Sequence, residues 1–178
     1  MAILNNMCLL CREKDSGLTK KKYFNFVCVA GLMIILDQLT KEMIQYNLPL
    51  YNNIVVIPGF FNITHIHNPG GAFGFLASQN SIFRDMFFIM FSILALCVLL
   101  YLFQKTPKTY PVLSLGFAFI FGGAAGNLID RIRFGKVVDF IDLYIGDMHW
   151  PAFNIADSGI TVGIFIFIYY MLFKELPD

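Results

Sequence analysis

The sequence predicts a membrane protein of the all-α class with a small β element. Three observations carry this. Hydrophobic residues make up 57% of the 178 positions and charged residues only 14%, where a soluble domain is nearer a quarter charged. The mean hydropathy is +0.66. Four apolar segments are each long enough to approach the roughly 20 residues that a helix needs to cross a bilayer. Between them lie two irregular stretches rich in Gly, Pro and β-branched residues. The formal net charge of +1 leaves no basic footprint for nucleic acid, so no nucleic-acid partner is expected.

Residues 1–22 are polar and become basic through Arg12, Lys14, Lys20, Lys21 and Lys22. The apolar run that follows is too long for a signal peptide and further spans succeed it. The start therefore reads as a cytoplasmic tail held by its lysines. Cys8 and Cys11 form one C-x-x-C in this tail. One such pair is half a zinc site and no second pair follows, so a mobile tail is the preferred reading. Cys28 and Cys97 sit inside apolar runs, where small thiols are unremarkable.

A membrane domain is expected over 23–174, with 175–178 as a short cytoplasmic end. Its first span runs from about Tyr23 to Ile44. Asp37 and Lys41 lie four apart near its far end, on one helical face, and can pair. Residues 45–83 contain Pro49, Pro58, Gly59, Pro69, Gly70, Gly71 and Gly74, which break any long helix. Within them Asn53–Ile57 and Phe60–His67 read as short strands. His65 and His67 alternate and so share a face. With no clear third ligand they read as interfacial histidines before they read as a metal pair. The Phe-rich remainder is expected at the outer membrane surface.

The second span covers about 86–103 and the basic turn 104–109 follows it. The third covers about 110–129 and ends on Gly122-Gly123-Ala124-Ala125-Gly126, a run that permits close helix approach. Residues 131–151 read as a second irregular stretch outside the core, and the fourth span as 151–173. Four spans put both termini on one side. The tail, the 104–109 turn and Lys174 are basic, which makes that side cytoplasmic. Asp37, Asn68, Asn127, Asp130, Arg131, Asp139, Asn154 and Asp157 then converge at the outer face.

Charge beside hydrocarbon is costly unless paired, hydrated or protonated, so such a cluster points to use. Two carboxylates held together share a proton and can serve as general base and then general acid. The available acids are Asp37, Asp130, Asp139, Asp142, Asp147 and Asp157. Asp139 in Val-Val-Asp-Phe and Asp157 in Asn-Ile-Ala-Asp stand in apolar frames that would raise a carboxyl pKa. Asp157 also reads as a helix-capping acid and Asp139 as a loop acid, so composition alone does not choose the pair. No Gly-x-Ser-x-Gly, His-Glu-x-x-His or Walker loop is present.

Five blocks in order carry a resemblance. They are Leu36-Asp37-Gln38-Leu39-Thr40-Lys41, Asn68-Pro69-Gly70-Gly71-Ala72-Phe73, Gly126-Asn127-Leu128-Ile129-Asp130-Arg131, Val137-Val138-Asp139-Phe140 and Phe153-Asn154-Ile155-Ala156-Asp157. From about Tyr23 to Phe173 the chain resembles lipoprotein signal peptidase (signal peptidase II), the bacterial membrane aspartyl peptidase family. The resemblance implies four transmembrane helices with an extracytoplasmic β-cradle and an interfacial arm. It implies Asp139 and Asp157 as the catalytic pair. Asp37, Lys41, Asn68, Gly70, Asn127, Asp130, Arg131, Asn154 and Ala156 take supporting or substrate-binding positions. It implies no cofactor and no metal. The implied partner is a prolipoprotein already carrying diacylglycerol, cut just before the lipidated cysteine by activated water. The expected setting is the bacterial inner membrane, with membrane lipid around a monomer. Two other classes remain open on the residues alone. One is a small ion- or proton-coupled transporter, which would favour midplane charges and repeated halves. The other is a metal-dependent lipid transferase, for which acids interleaved with Asn and Arg131 make a poor cation cage.

Overall fold

A computed structural model of the chain describes the backbone of residues 2–70 and 81–174, and the side chains of 17–70 and 82–174. The elements run α1 (Ala2–Asn47), β1 (Asn53–Ile57), β2 (Phe61–Asn68), α2 (Ser81–Lys105), α3 (Pro111–Phe134), β3 (Val137–Ile145), β4 (Met148–His149) and α4 (Ile155–Phe173). Four stretches are long and apolar enough to cross a membrane: Gly17–Asn47, Ile82–Lys105, Pro111–Phe134 and Ile155–Phe173. The strands form one antiparallel sheet in the order β1-β2-β3-β4.

The helix ends follow local chemistry. α1 stops at Asn47, ahead of Pro49, because the residue before a proline is pushed out of the helical region. α2 stops ahead of Pro107 for the same reason. α3 starts with Pro111, which lacks the N–H that would be unpartnered there. It closes on Gly135 in the left-handed region (φ 68°), whose N–H donates to the Arg131 carbonyl. The β3–β4 turn likewise rests on Gly146 at φ 60°.

α3 is the axis of the bundle and packs against the other three helices. Its small residues set the approach. A side chain at Gly123 would run into the backbone carbonyl of Ala156 on α4, and one at Gly122 would meet the Ala30 carbonyl of α1 at 2.8 Å. Farther along, a Cβ at Gly163 would lie 2.5 Å from the Gly116 carbonyl. The apolar core fills the end of the bundle away from the sheet: Phe26 stacks on Phe103 at 4.1 Å, with Ala30, Leu113, Phe117 and Ala118 around them. Large side chains such as Phe91, Leu94, Phe165 and Leu172 project outward, as lipid-facing surface does.

Several boundaries depart from the sequence reading. The expected tail is helical from Ala2 and continuous with the first span. Hydropathy locates where a helix enters a membrane, but no breaker ends the helix there. α3 runs on to Phe134, so Asp130 and Arg131 are helical. Residues 131–151 are not irregular throughout: the β-branched run Val137–Ile145 is a full strand paired with β2. α4 begins at Ile155, since the preceding segment is extended and bridges Phe153 to Ile141. The expected surface segment, with Gly71, Ala72, Phe73 and Gly74, falls largely outside the described residues, as do the side chains of Cys8 and Cys11.

Gly123→Ala should lower the melting temperature in detergent by several degrees or prevent purification of folded protein, because backbone must move. Gly31→Ala, where added bulk meets nothing within 4 Å, should leave melting unchanged or raise it slightly. Equal behaviour of the two variants would refute close α3–α4 packing as the limiting constraint.

Candidate active site

Lys41 is the point around which the polar cluster assembles. Its side chain is 1% exposed. A buried ammonium has three protons to place. They go to Asp37 Oδ2 at 2.8 Å, Asp130 Oδ2 at 2.9 Å and Asn127 Oδ1 at 2.9 Å. The i,i+4 pairing of Asp37 and Lys41 seen in the sequence is present, and α3 supplies the other two acceptors.

The two carboxylates are satisfied in turn. Asp37 Oδ1 accepts the Ala156 N–H at 2.9 Å, which fixes the first turn of α4. Asp130 Oδ2 accepts the Val138 N–H at 3.2 Å, which fixes the start of β3. Gln38, a block residue with no role assigned from the sequence, donates to Asp130 Oδ1 at 2.9 Å and to the Gly126 carbonyl at 3.2 Å. A Cβ at Gly126 would lie 2.6 Å from Asp37 Oδ2, so the ion pair itself requires glycine there.

Asp139 and Asp157 line one cavity of about 640 Å³. Asp139 is on β3 and 3% exposed. Its Oδ1 accepts Asn154 Nδ2 at 2.7 Å and its Oδ2 accepts Asn68 Nδ2 at 3.1 Å. Asn68 is locked in turn by the Gly70 N–H, which donates to its Oδ1 at 3.0 Å. Asp157 is half-buried in the first turn of α4, where negative charge is favoured. Its Oδ1 accepts Asn127 Nδ2 at 2.8 Å.

Asn154 bridges the pair. It is the N-cap of α4, and it and Asp157 form a reciprocal capping box: its Oδ1 accepts the Asp157 N–H at 2.9 Å, and its own N–H donates to Asp157 Oδ2 at 3.3 Å. Its amide nitrogen meanwhile holds Asp139. Asp157 is thus the helix-capping acid that the sequence offered as its bland reading, and it faces the cavity as well. Backbone bonds between Phe153 and Ile141 at 2.8 and 3.1 Å bring the Asn154 segment against β3.

Burial pushes the Asp139 carboxyl up to about 7, with the charge of Asp157 adding to the rise and the amides of Asn68 and Asn154 opposing it. A carboxyl poised near neutral pH can hold or release a proton as hydrolysis needs, so Asp139 suits general acid–base chemistry on a water in this cavity.

Arg131 departs from expectation. Asp130 and Asn127 are spent on Lys41, and among the described residues Arg131 makes no hydrogen bond to either. Its guanidinium lies 4.8 Å over the Phe88 ring of α2 and lines the cavity with Asn68, Asn127, Asp139 and Asp157. Leu143, Trp150, Ile160 and Val162 add apolar lining to the same cavity. Sequence reasoning did not assign that lining, although Trp150 is the chain's one tryptophan.

Two other polar groups fall outside the cavity. Asp142 is bonded by Asn62 at 3.0 Å and His149 at 2.8 Å, on the sheet face away from Asp139. His65 Nδ1 donates to the Leu48 carbonyl at 2.7 Å, and its Nε2 lies 3.3 Å from His67 Nε2. The histidines thereby tie the end of α1 to β2. Burial, then the charges of Lys136 and His65, lower the His67 pKa. Among the described residues no group of three His, Cys, Asp or Glu could hold a metal.

Asp139 makes stability pH-dependent with a definite sign. Its folded value lies above the ordinary carboxylate value of 3.8. Its contribution is therefore complete below about pH 4 and lost as pH rises through about 7. The melting temperature of Asp139→Asn relative to the parent should rise by roughly 5 °C between pH 5 and pH 8. A pH-independent difference would show that Asp139 titrates normally.

Comparison with known proteins gives one consistent result. The family model described as signal peptidase (SPase) II matches residues 29–173. A protein of Desulforapulum autotrophicum named lipoprotein signal peptidase is 53% identical over 150 residues, covering 84% of this chain and 93% of that one. Its namesake from Syntrophus aciditrophicus is 44% identical, covering 88% and 97%. A solved structure, described as a bacterial membrane enzyme determined by the in meso method, superposes with a TM-score of 0.75 at 36% identity, over 83% of this chain and 87% of that one.

Proposed function

Because the chain belongs to the signal peptidase II family, we propose that Asp139 and Asp157 are its catalytic pair and that it works as an aspartic endopeptidase. The broader function follows from the family. The chain is a multi-pass bacterial membrane peptidase that removes signal peptides from prolipoproteins. Family membership selects this reading over the transporter and the lipid transferase.

The observation that carries the mechanism is the bridging of Asp139 to Asp157 by Asn154 within one cavity. One carboxylate takes a proton from a water as its oxygen attacks the scissile carbonyl, giving a tetrahedral intermediate. The protonated carboxyl then delivers a proton to the leaving amine as the C–N bond breaks. Arg131, whose guanidinium makes no hydrogen bond among the described residues, lines the cavity and is proposed to hold a substrate carbonyl or the developing negative charge. The substrate is a prolipoprotein whose cysteine already carries diacylglycerol, and the bond cut precedes that cysteine. The apolar wall of Leu143, Trp150, Ile160 and Val162 suits a lipid-bearing segment entering from the membrane. Lys41, Asp37, Asp130, Asn127, Asn154, Asn68, Gly70 and Ala156 are positioning residues. No metal takes part in this scheme, and the monomer is its working unit.

Asp139→Asn and Asp157→Asn should each reduce single-turnover cleavage of a diacylglyceryl-modified precursor by a factor on the order of 10³ or more. The double variant should be scarcely worse than either single one, since the residues act as a unit. Asp142→Asn should be far milder, because Asp142 faces Asn62 and His149. Chelators should not inhibit. Substantial turnover by Asp157→Asn, or multiplying losses in the double variant, would sink the dyad.

The cavity is proposed to open at the outer membrane face with both termini in the cytoplasm, because Lys20, Lys21, Lys22, Lys105, Lys108 and Lys174 gather at the other end. Single cysteines placed in the 104–109 turn and in the β3–β4 turn, after removal of the native cysteines, should differ. Only the second should react with an impermeant thiol reagent on intact cells. Labelling of the 104–109 turn from outside would invert the topology.

A further inference from the structure

The free edge of the sheet presents a surface ill suited to water. β1 is an edge strand, paired with β2 on one side only. All five of its residues are exposed, and Ile54, Val55, Val56 and Ile57 follow one another. Successive residues of a strand point to opposite faces, so both faces of β1 are apolar and uncovered. A sheet with one face in water alternates apolar with polar residues instead. From Met43 to Gly70 there is no Asp, Glu, Lys or Arg, where a water-facing stretch of that length would carry about seven. Edge strands in water are commonly blunted by charged side chains, and β1 has none.

This surface continues the lipid-facing side of the bundle. Leu32, Leu36, Leu39, Met43 and Tyr46 recur at helical spacing on α1, and all are exposed. The stripe leads through Leu50 and Tyr51, both exposed, into β1. Tyr51 stands at φ 64°, a strained conformation for a bulky residue, and it is 75% exposed. Phe60, half exposed, follows Gly59 in the turn at the other end of the strand. Aromatic rings placed in this way anchor a chain at a membrane–water interface. The level of the strand agrees. From Tyr23, just past Lys20, Lys21 and Lys22, α1 reaches Met43 after about 30 Å, which is the thickness of the hydrocarbon. Asn47 to Tyr51 therefore fall in the headgroup layer, and β1 starts two residues later.

We infer that β1 is a lipid-contacting edge, lying in the headgroup and ester layer of the leaflet at the dyad end with Val55 and Val56, on opposite faces, both against lipid. The backbone sets the depth. Unpaired N–H and C=O groups of a sheet edge are excluded from hydrocarbon, whereas ester and phosphate oxygens and interfacial water can meet them. The side chains reach the upper acyl carbons from that level. The sheet that carries Asp139 is thereby moored to the bilayer through its far edge.

The test is fluorescence quenching on the full chain in phosphatidylcholine vesicles. After removal of the native cysteines, bimane is attached to Val55→Cys, Val56→Cys or Leu32→Cys, one site per chain. Leu32 is exposed midway along the Tyr23–Met43 run and reports the bilayer centre. A bimane adduct of free cysteine in the same suspension gives the aqueous baseline. Phosphatidylcholine with a doxyl quencher at acyl carbon 5 should quench both β1 sites at least about threefold above that baseline. The same lipid labelled at carbon 12 should quench them less, and Leu32→Cys should show the reverse order. Melting in detergent like the parent's shows that each labelled chain is folded. Quenching at Val55→Cys and Val56→Cys no greater than the baseline would overturn the proposal. Quenching at one of them alone would overturn it in favour of a sheet lying flat. Efficient disulfide formation between two unlabelled Val55→Cys chains would assign the edge to a second copy and overturn it as well.

Discussion

The ammonium of Lys41 is the interaction on which the sheet-bearing end of this fold depends. A single buried cation draws Asp37 from its own helix and Asp130 and Asn127 from α3 into one contact. The same two carboxylates then accept from the backbone of Ala156 and Val138, Asp37 through its second oxygen and Asp130 through the oxygen that also binds Lys41. Those N–H groups begin α4 and β3, the elements that carry Asp157 and Asp139. Removing one partner from such a buried network typically costs about 3–5 kcal/mol, because the remaining charges are stranded. The network's benefit over an apolar core is geometric: it specifies where two chain segments start, relative to each other, at the membrane surface.

The two aspartates of the cavity are chemically alike and physically different. Asp139 comes from a strand and is almost fully enclosed, and its carboxyl is driven up to about 7. Asp157 comes from the first turn of a helix and is part of its cap. One asparagine serves both, through opposite ends of the same amide. Structural capping and site assembly are therefore the same set of hydrogen bonds, and changes at Asn154 act on both.

The bundle is held differently at its two ends. Near the dyad it is joined by ion pairs and by glycines that admit carbonyls and carboxylates. Near the 104–109 turn it is joined by aromatic stacking and by Lys22 capping the end of α2. The lipid-facing helices between them need only be apolar, since helix backbones satisfy their own hydrogen bonds. The polar contacts that join the helices therefore concentrate towards the two ends.

Much of this was legible in the sequence. Apolar run length located the spans, because hydrocarbon thickness sets a residue count. Proline and glycine marked the breaks, and the spacing of Asp37 and Lys41 predicted their pairing. The polar residues stranded between apolar runs named the cluster. The sequence could not show that Asn154 would bridge Asp139 and Asp157, or that Arg131 would lie on Phe88 rather than bind Asp130. Nor could it place Val137–Ile145 in a sheet with β2. Those outcomes depend on which of several possible partners comes within hydrogen-bonding distance, and residues far apart in the chain reach that distance only after the helices have packed. Local periodicity determines a helix or a span; competition among partners for Asp130, Asn127 and the Asn154 amide is decided by tertiary structure alone.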